Sequence, residues 1–261
     1  MKKPLLPLLI LILFSLSKLS AQTILEKEIP RPSPLPDLLG YVMESQTSCD
    51  YSEEQMTSIQ KLVEKYQPPI VEKVQKIYDL DLEMREKSKQ SIGLKDMEAF
   101  NKQVIKVRLE LNTLKLDFRD ELVSIIGDVE YEKLATALNE KHPYEMGLVV
   151  ERISPIPNYM IVAYYIEGMK LTDEQKQHID HWNEEGHYKA MLMLSKMAEK
   201  EQEIRTMTLE NKPKSDILEQ FKAYEMMRHN LLVTKTDCRD YIRDKVLEKW
   251  QWELMVEKMD L

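Results

Sequence analysis

The phrase Leu171–Gln175, LTDEQ, opens a run of apolar residues at helical spacing and constrains the chain more than any other stretch. Thr172 followed three residues later by Gln175 is a capping box. The threonine hydroxyl accepts from the Gln175 backbone N–H, and the glutamine side chain reaches back to the cap. At a spacing of 120 positions upstream, Ser52 and Gln55 hold the same two roles in YSEEQMTSI, Tyr51–Ile59. One helix-start signal used twice at fixed spacing predicts a duplicated helical unit.

A second mark recurs in the same order. Arg31-Pro-Ser-Pro-Leu-Pro-Asp37 returns as Arg152-Ile-Ser-Pro-Ile-Pro-Asn158. Both are too proline-rich for helix or central strand. Asp37 then caps a short helix, Leu38 to about Glu44, and Asn158 caps another through Tyr159–Glu167. After Ser52 an apolar stripe runs Ile59, Leu62, Tyr66, Ile70 and Val74, in steps of three and four. Pro68-Pro69 predicts a kink or break in it. In the other half Ile179, Trp182, Met193 and Met197 continue the stripe, and Gly186 falls near the equivalent point. A bent, curved surface is expected.

The clearest seam is Met97, Phe100, Val104, Val107, Leu111, Leu114 and Phe118, continuing to Leu122 and Ile125. Shifted by 120 it reads Ile217, Gln220, Tyr224, Met227, Leu231, Thr234, Cys238 and Ile242. Arg119-Asp120 recurs as Arg239-Asp240, read as a structural ion pair or inter-helix hydrogen bond, and Lys115 and Asp117 recur as Lys235 and Asp237. Each half closes with a shorter helix, Val129 to about Leu138 and Glu248 to Met259, with Leu134 matched by Leu254. Strand signals are confined to an ambiguous Gly147–Val150. The expected fold is all-α, with two tandem copies of a helical unit at residues 37–140 and 154–261 and a linker at 141–153.

The N-terminus reads as a signal peptide over residues 1–21. Lys2 and Lys3 precede an apolar run from about Leu5 to Leu16, with a small-residue cleavage site at Ser20–Ala21. The run is short for a membrane span, and a retained anchor is the alternative. Residues 22–36 form an extended leader. Loss of Lys2, Lys3 and Lys18 would take the formal charge from −8 to −11, which argues against nucleic acid, because phosphate binding needs clustered Lys and Arg. Export to the periplasm permits a disulfide between Cys49 and Cys238. The alternative leaves Cys238 a small buried hydrophobe.

Taken together, LTDEQ at Leu171–Gln175, the long helical hairpin after it and a closing helix about 75 residues later resemble the Spy/CpxP family of LTxxQ-motif periplasmic proteins. Tyr51–Gln55 keeps the hydroxyl and the glutamine. The second LTxxQ-like phrase of the family is degenerate here, at Gly127–Leu134 (GDVEYEKL) and Leu247–Leu254 (LEKWQWEL). The likeness covers roughly Tyr51–Leu138 and Leu171–Glu257. It implies bent helical hairpins that pair into a curved cradle, here within one chain as a pseudo-dimer, and ATP-independent chaperone or envelope-stress activity. Relatives in the family bind zinc. The acidic charge and the proline phrases depart from the family pattern.

Few residues suggest other chemistry. His178, His181 and Glu185 share one helix face, a workable Zn²⁺ arrangement, and the alternative is a solvated polar face. No other cofactor is expected. Met193, Met197 and Met227 lie on the seam, whereas Met191 and Met207 lie off it and suit an exposed client surface. Trp182 fits the core, and Trp250 and Trp252 cannot both face it. No nucleophile elbow, phosphate loop or dinucleotide fingerprint occurs, so an enzyme is not expected. The functional expectation is a periplasmic holdase for unfolded clients, with a zinc-binding stress sensor and an adaptor for one dedicated partner as alternatives. It would act as a monomer with pseudo-two-fold symmetry or as a homodimer.

Overall fold

The computed structural model describes residues 33–45, 51–144 and 154–259. The leader, Cys49 and the Gly147–Val150 stretch lie outside them. Among the described residues the chain is all α-helical with no strand. In order it contains α1 (Leu38–Ser45), α2 (Glu53–Lys89), α3 (Leu94–Ile126), α4 (Asp128–Lys141), α5 (Tyr159–Tyr165), α6 (Asp173–Leu209) and α7 (Lys214–Tyr241). A π-helical turn (Ile242–Val246) and α8 (Lys249–Lys258) complete it. No described helix is long and apolar enough to cross a membrane.

The capping boxes form as the sequence predicts. Gln55 N donates to Ser52 Oγ at 3.1 Å and Ser52 N donates to Gln55 Oε1 at 3.0 Å. At α6, Gln175 N donates to Thr172 Oγ1 at 3.2 Å and Thr172 N to Gln175 Oε1 at 2.9 Å. Glu53 and Glu54, then Asp173 and Glu174, occupy the first turns, where the helix dipole favours negative charge. Just past the caps of α2 and α6 a residue in the left-handed region, Ser91 (φ 59°) and Asn211 (φ 55°), turns the chain back into α3 and α7.

Pro68-Pro69 does not break α2, which stays helical through the pair. The two missing N–H groups would have met the carbonyls of Glu64 and Lys65, residues on the solvent side. Water can serve those carbonyls, while Leu62, Val63 and Tyr66 before the prolines and Ile70 and Ile77 after them bury in one cluster. Packing overrides the local penalty. Gly186 is likewise interior to a continuous α6. Its role is close approach: a Cβ there would meet the Trp182 ring at 2.9 Å. The α5 helix stops at Tyr165, short of Glu167, and Gly168 (φ 85°) turns the chain toward Thr172.

Three clusters form the core. One gathers α1, α2, α3 and α4 around Val42, Ile59, Leu111, Phe118, Leu122 and Tyr131. A second joins the far end of the α2–α3 hairpin (Leu80, Met84, Met97, Phe100) to Tyr159, Met160, Ile179, Ile242 and Met255. The third joins the far end of the α6–α7 hairpin (Met197, Ile204, Ile217, Tyr224) to Leu35 and Leu116. The turn of each hairpin therefore rests on residues from the other half of the chain. Arg239, fully buried, donates from Nη1 to Ser88 O at 3.3 Å and from Nη2 to Ile92 O at 2.7 Å. Tyr131 Oη donates to Thr208 O at 2.8 Å.

Because α3 packs against α7 as well as α2, its buried surface is wider than one seam. Arg108, Asn112, Leu116 and Arg119 are buried beside the seam residues, while Val107, Leu114 and Ile125 are only half-buried. In α7, Phe221 fills core where Gln220 was expected, and Thr234 is exposed. The proline phrases dock on these central helices. Lys115 Nζ donates to Leu35 O at 3.3 Å, and Lys235 Nζ to Ile156 O at 2.7 Å.

Candidate functional site

The motif glutamines do more than cap. Gln55 Nε2 donates to Ile125 O at 3.3 Å, tying the start of α2 to the end of α3. Gln175 Nε2 donates to Val246 O at 2.8 Å and to Gln251 Oε1 at 2.6 Å. Gln251 Nε2 in turn donates to Met169 O at 3.0 Å and to Gln175 Oε1 at 3.1 Å. Leu247–Gln251 is thus a working capping box, with the Glu248 carboxylate in place of a hydroxyl. The sequence had marked this phrase as degenerate. The first half has Gly127 at the corresponding cap, with no side-chain bond. Leu171 is half-buried against the second-half core.

An open cleft of about 830 Å³ lies along α2 and α3, lined by Lys73, Lys102, Ile105, Lys106, Leu109, Glu110, Thr113 and Leu114. Ile105, Leu109 and Leu114 give it a half-buried apolar floor, and Lys102 and Lys106 stand exposed on its rim. Glu110 is held by Lys73 at 2.8 Å. That hydrogen bond shifts the Lys73 amine up and the Glu110 carboxyl down from their ordinary values. Three lysines against one carboxylate leave the cleft cationic on a chain of net charge −8. The sequence reading missed this site, although the exposed lysines flanking Ile105 on α3 were its signal.

Where α3 crosses α7, charges are buried. Arg108 Nη2 donates to both oxygens of Asp81, at 3.1 and 2.8 Å. Arg228 Nε lies 3.6 Å from Glu225 Oε2, and Glu225 Oε1 has no hydrogen-bond partner. Burial pushes the Glu225 carboxyl up, against the pull of Arg228. Tyr224 Oη donates to Glu201 Oε1, and burial raises the phenol well above its ordinary value.

His178 and His181 are exposed on α6, and His178 Nδ1 lies 3.2 Å from Tyr241 Oη. The Glu185 side chain lies outside the described residues. Among the described residues no three His, Cys, Asp or Glu side chains stand together as a metal site. Met191 is exposed, as an outward-facing residue should be, whereas Met207 is half-buried against the third cluster. Trp250 is exposed and Trp252 packs inward on Tyr159, with ring centroids 5.3 Å apart. Cys238 is a buried free thiol, pushed up to about 12 by burial. Burial also lowers the neighbouring Lys235 amine to about 8. Arg119 pairs with Asp120 and Arg239 with Asp240, the structural ion pairs expected.

Comparison with protein-family models, with curated proteins and with solved structures finds no match.

Proposed function

We propose that this chain is an exported, ATP-independent holdase that grips unfolded proteins in the cationic-rimmed cleft of α2 and α3. The cleft carries the reading. It is open and apolar at its floor, and it bears mobile lysine stems at its edge, so it offers contact area without demanding one shape. The exposed Met191, Leu192 and Met226 add apolar surface on the other hairpin. Its place in the periplasm rests on the signal-peptide reading of residues 1–21.

We further propose that the fold is two copies of one hairpin unit joined as an intramolecular pseudo-dimer. Several coincidences support this. The helices α2 and α6 are each 37 residues long, and their N-caps Ser52 and Thr172 are 120 positions apart. Ser91 and Asn211 turn them at the same spacing. Lys115 and Lys235 cap the two proline phrases, and Gln55 and Gln175 reach the ends of α3 and of the π-helical turn. On this reading the π-helical turn adds one residue to the second copy. The caps Gly127 and Glu248 then correspond, and buried Met255, rather than Leu254, matches Leu134.

The test is light scattering of a denatured client diluted into buffer with residues 22–261 and no ATP. Suppression at near-equimolar ratio is the expected result. Undiminished scattering across several unrelated clients would refute the holdase reading and leave the fold untouched.

A further inference from the structure

The two hairpin turns are alike inside. Gln90, Ser91 and Ile92 donate to the carbonyls of Glu86, Ser88 and Lys87 at 2.9, 3.0 and 3.1 Å. Glu210, Asn211 and Lys212 donate to those of Thr206, Thr208 and Met207 at 2.9, 3.2 and 2.9 Å. What holds each turn from outside is different. The first is gripped by a charged donor: the buried Arg239 guanidinium bonds Ser88 O and Ile92 O, and Tyr159 Oη bonds Ser88 Oγ at 2.9 Å. Ser88 and Lys89 are buried there, and Ile92 packs into the neighbouring core.

The second turn has no charged donor on its own carbonyls; charged contacts flank it instead, Arg205 Nη2 to His142 O at the end of α4 at 2.5 Å and Lys214 Nζ to Asp117. Arg119, the counterpart of Arg239, spends Nε and Nη2 on Asp120, and its buried Nη1 has no hydrogen-bond partner. Thr208 O is instead taken by the neutral phenol of Tyr131, and Asn211 Nδ2 meets Asp128 at an exposed 3.2 Å contact. Between α4 and this turn runs a cleft of about 840 Å³, walled by Tyr131, Ala135, Thr136, Leu209 and Lys212. Charge-assisted hydrogen bonds are roughly twice as strong as neutral ones, and across a solvent-open cleft the two walls make no packing contact with each other.

We infer that the second hairpin turn, Thr208–Lys212, is a latch that undocks from α4 ahead of the rest of the fold, while the first turn stays clamped by Arg239. Undocking lifts Leu209 off the first-half core and bares Tyr131 and Ala135, so it enlarges the apolar surface reversibly. The latch is a property of the docking and does not depend on holdase activity. Two local differences oppose it: Pro213 stiffens the second turn where Gly93 loosens the first, and Asn211 suits the left-handed region better than Ser91. Faster opening of the second turn therefore has to come from its dock.

Amide hydrogen exchange on the full chain tests this. Backbone amides of residues 208–212 are expected to exchange at least about fivefold faster than those of residues 88–92, the size of one net hydrogen bond. Tyr131→Phe should speed exchange at 208–212 by a similar factor and leave 88–92 unchanged. Arg239→Met should speed 88–92, while Arg119→Met leaves 208–212 as it was. Equal or reversed protection in the unmodified protein overturns the inference without any variant having to fold. So does an Arg119→Met effect at 208–212 as large as that of Arg239→Met at 88–92.

Discussion

The side-chain amides of Gln175 and Gln251 pair with each other, 2.6 Å in one direction and 3.1 Å in the other, across 76 positions of sequence. Both are buried, and each also holds a backbone carbonyl, Val246 O at the end of the π-helical turn for Gln175 and Met169 O in the loop before α6 for Gln251. Gln175→Ala or Gln251→Ala alone strands the surviving amide and should cost about 1–3 kcal/mol. The double variant should cost less than the sum, with a coupling of roughly 1 kcal/mol. Urea unfolding of the four proteins reads it directly, and strict additivity would show that the pair is not coupled.

Asp81 and Arg108 should respond unequally to truncation. Asp81→Ala leaves a guanidinium that is 2% exposed without its carboxylate. Breaking such a pair from that side should cost about 2–3 kcal/mol, the half-buried state of Asp81 tempering the loss. Arg108→Met removes the buried charge, keeps an apolar stem in its place and leaves Asp81 partly in water, so it should cost less. Thermal unfolding of both variants checks the order.

Stability should change with pH in alkaline solution in a direction set by Lys235 and Cys238. The Lys235 amine, brought to about 8 by burial, binds fewer protons folded than unfolded between pH 8 and its ordinary value of 10.5. Across that window its contribution rises with pH, and its penalty is fully present below pH 8. The Cys238 thiol, pushed from 9.0 to about 12, acts oppositely, and its contribution is lost as pH climbs from 9 to 12. Stability should therefore increase from pH 8 to 9, stay nearly level from 9 to 10.5 where the two slopes cancel, and fall from there toward 12. Lys235→Gln should flatten the first limb, which denaturant midpoints at half-unit intervals will reveal.

The same raised thiol predicts chemical silence. At pH 8 about one Cys238 in 10⁴ is thiolate, so iodoacetamide should label it only on unfolding. Labelling followed by mass spectrometry against a urea series should track the unfolding curve. Rapid modification of the native protein would contradict the burial.

The lysine rim should set client capture. Lys102→Glu with Lys106→Glu leaves the apolar floor intact and reverses the charge at its edge. Suppression of aggregation by an acidic client should weaken roughly fivefold, most strongly at low salt, with helical content unchanged. An unaltered scattering curve would move the gripping surface elsewhere.

Much of the architecture was legible because helix starts carry chemical signatures. Ser52, Thr172, Asn158 and the glutamines three residues after the first two marked their helices to the residue. Gln251 escaped because its cap is Glu248, and a carboxylate accepts from the N3 amide as well as a hydroxyl does. Pro68-Pro69 left a kink and a break both open because the sequence gives the missing donors but not the side of the helix on which the freed carbonyls fall, and α2 does not break. The buried faces of Arg108, Asn112 and Arg119 were invisible for another reason. A single apolar seam predicts one neighbour, and α3 has two. The cleft followed the same rule, since its residues become a site only when Lys73 of α2 is brought beside Lys102 and Lys106 of α3.

Arg239 reaches back 151 positions to hold Ser88. A polypeptide made from its N-terminus meets that clamp late, since Arg239 is added 151 residues after Ser88. Until then the first hairpin can form its own turn and its own helices, but its far end has nothing to rest on. Leu80, Met84, Met97 and Phe100 wait uncovered for partners not yet synthesised. The order of synthesis thus leaves the first hairpin, until Arg239 and its neighbours are made, in the condition of an unfinished protein with apolar surface to hide.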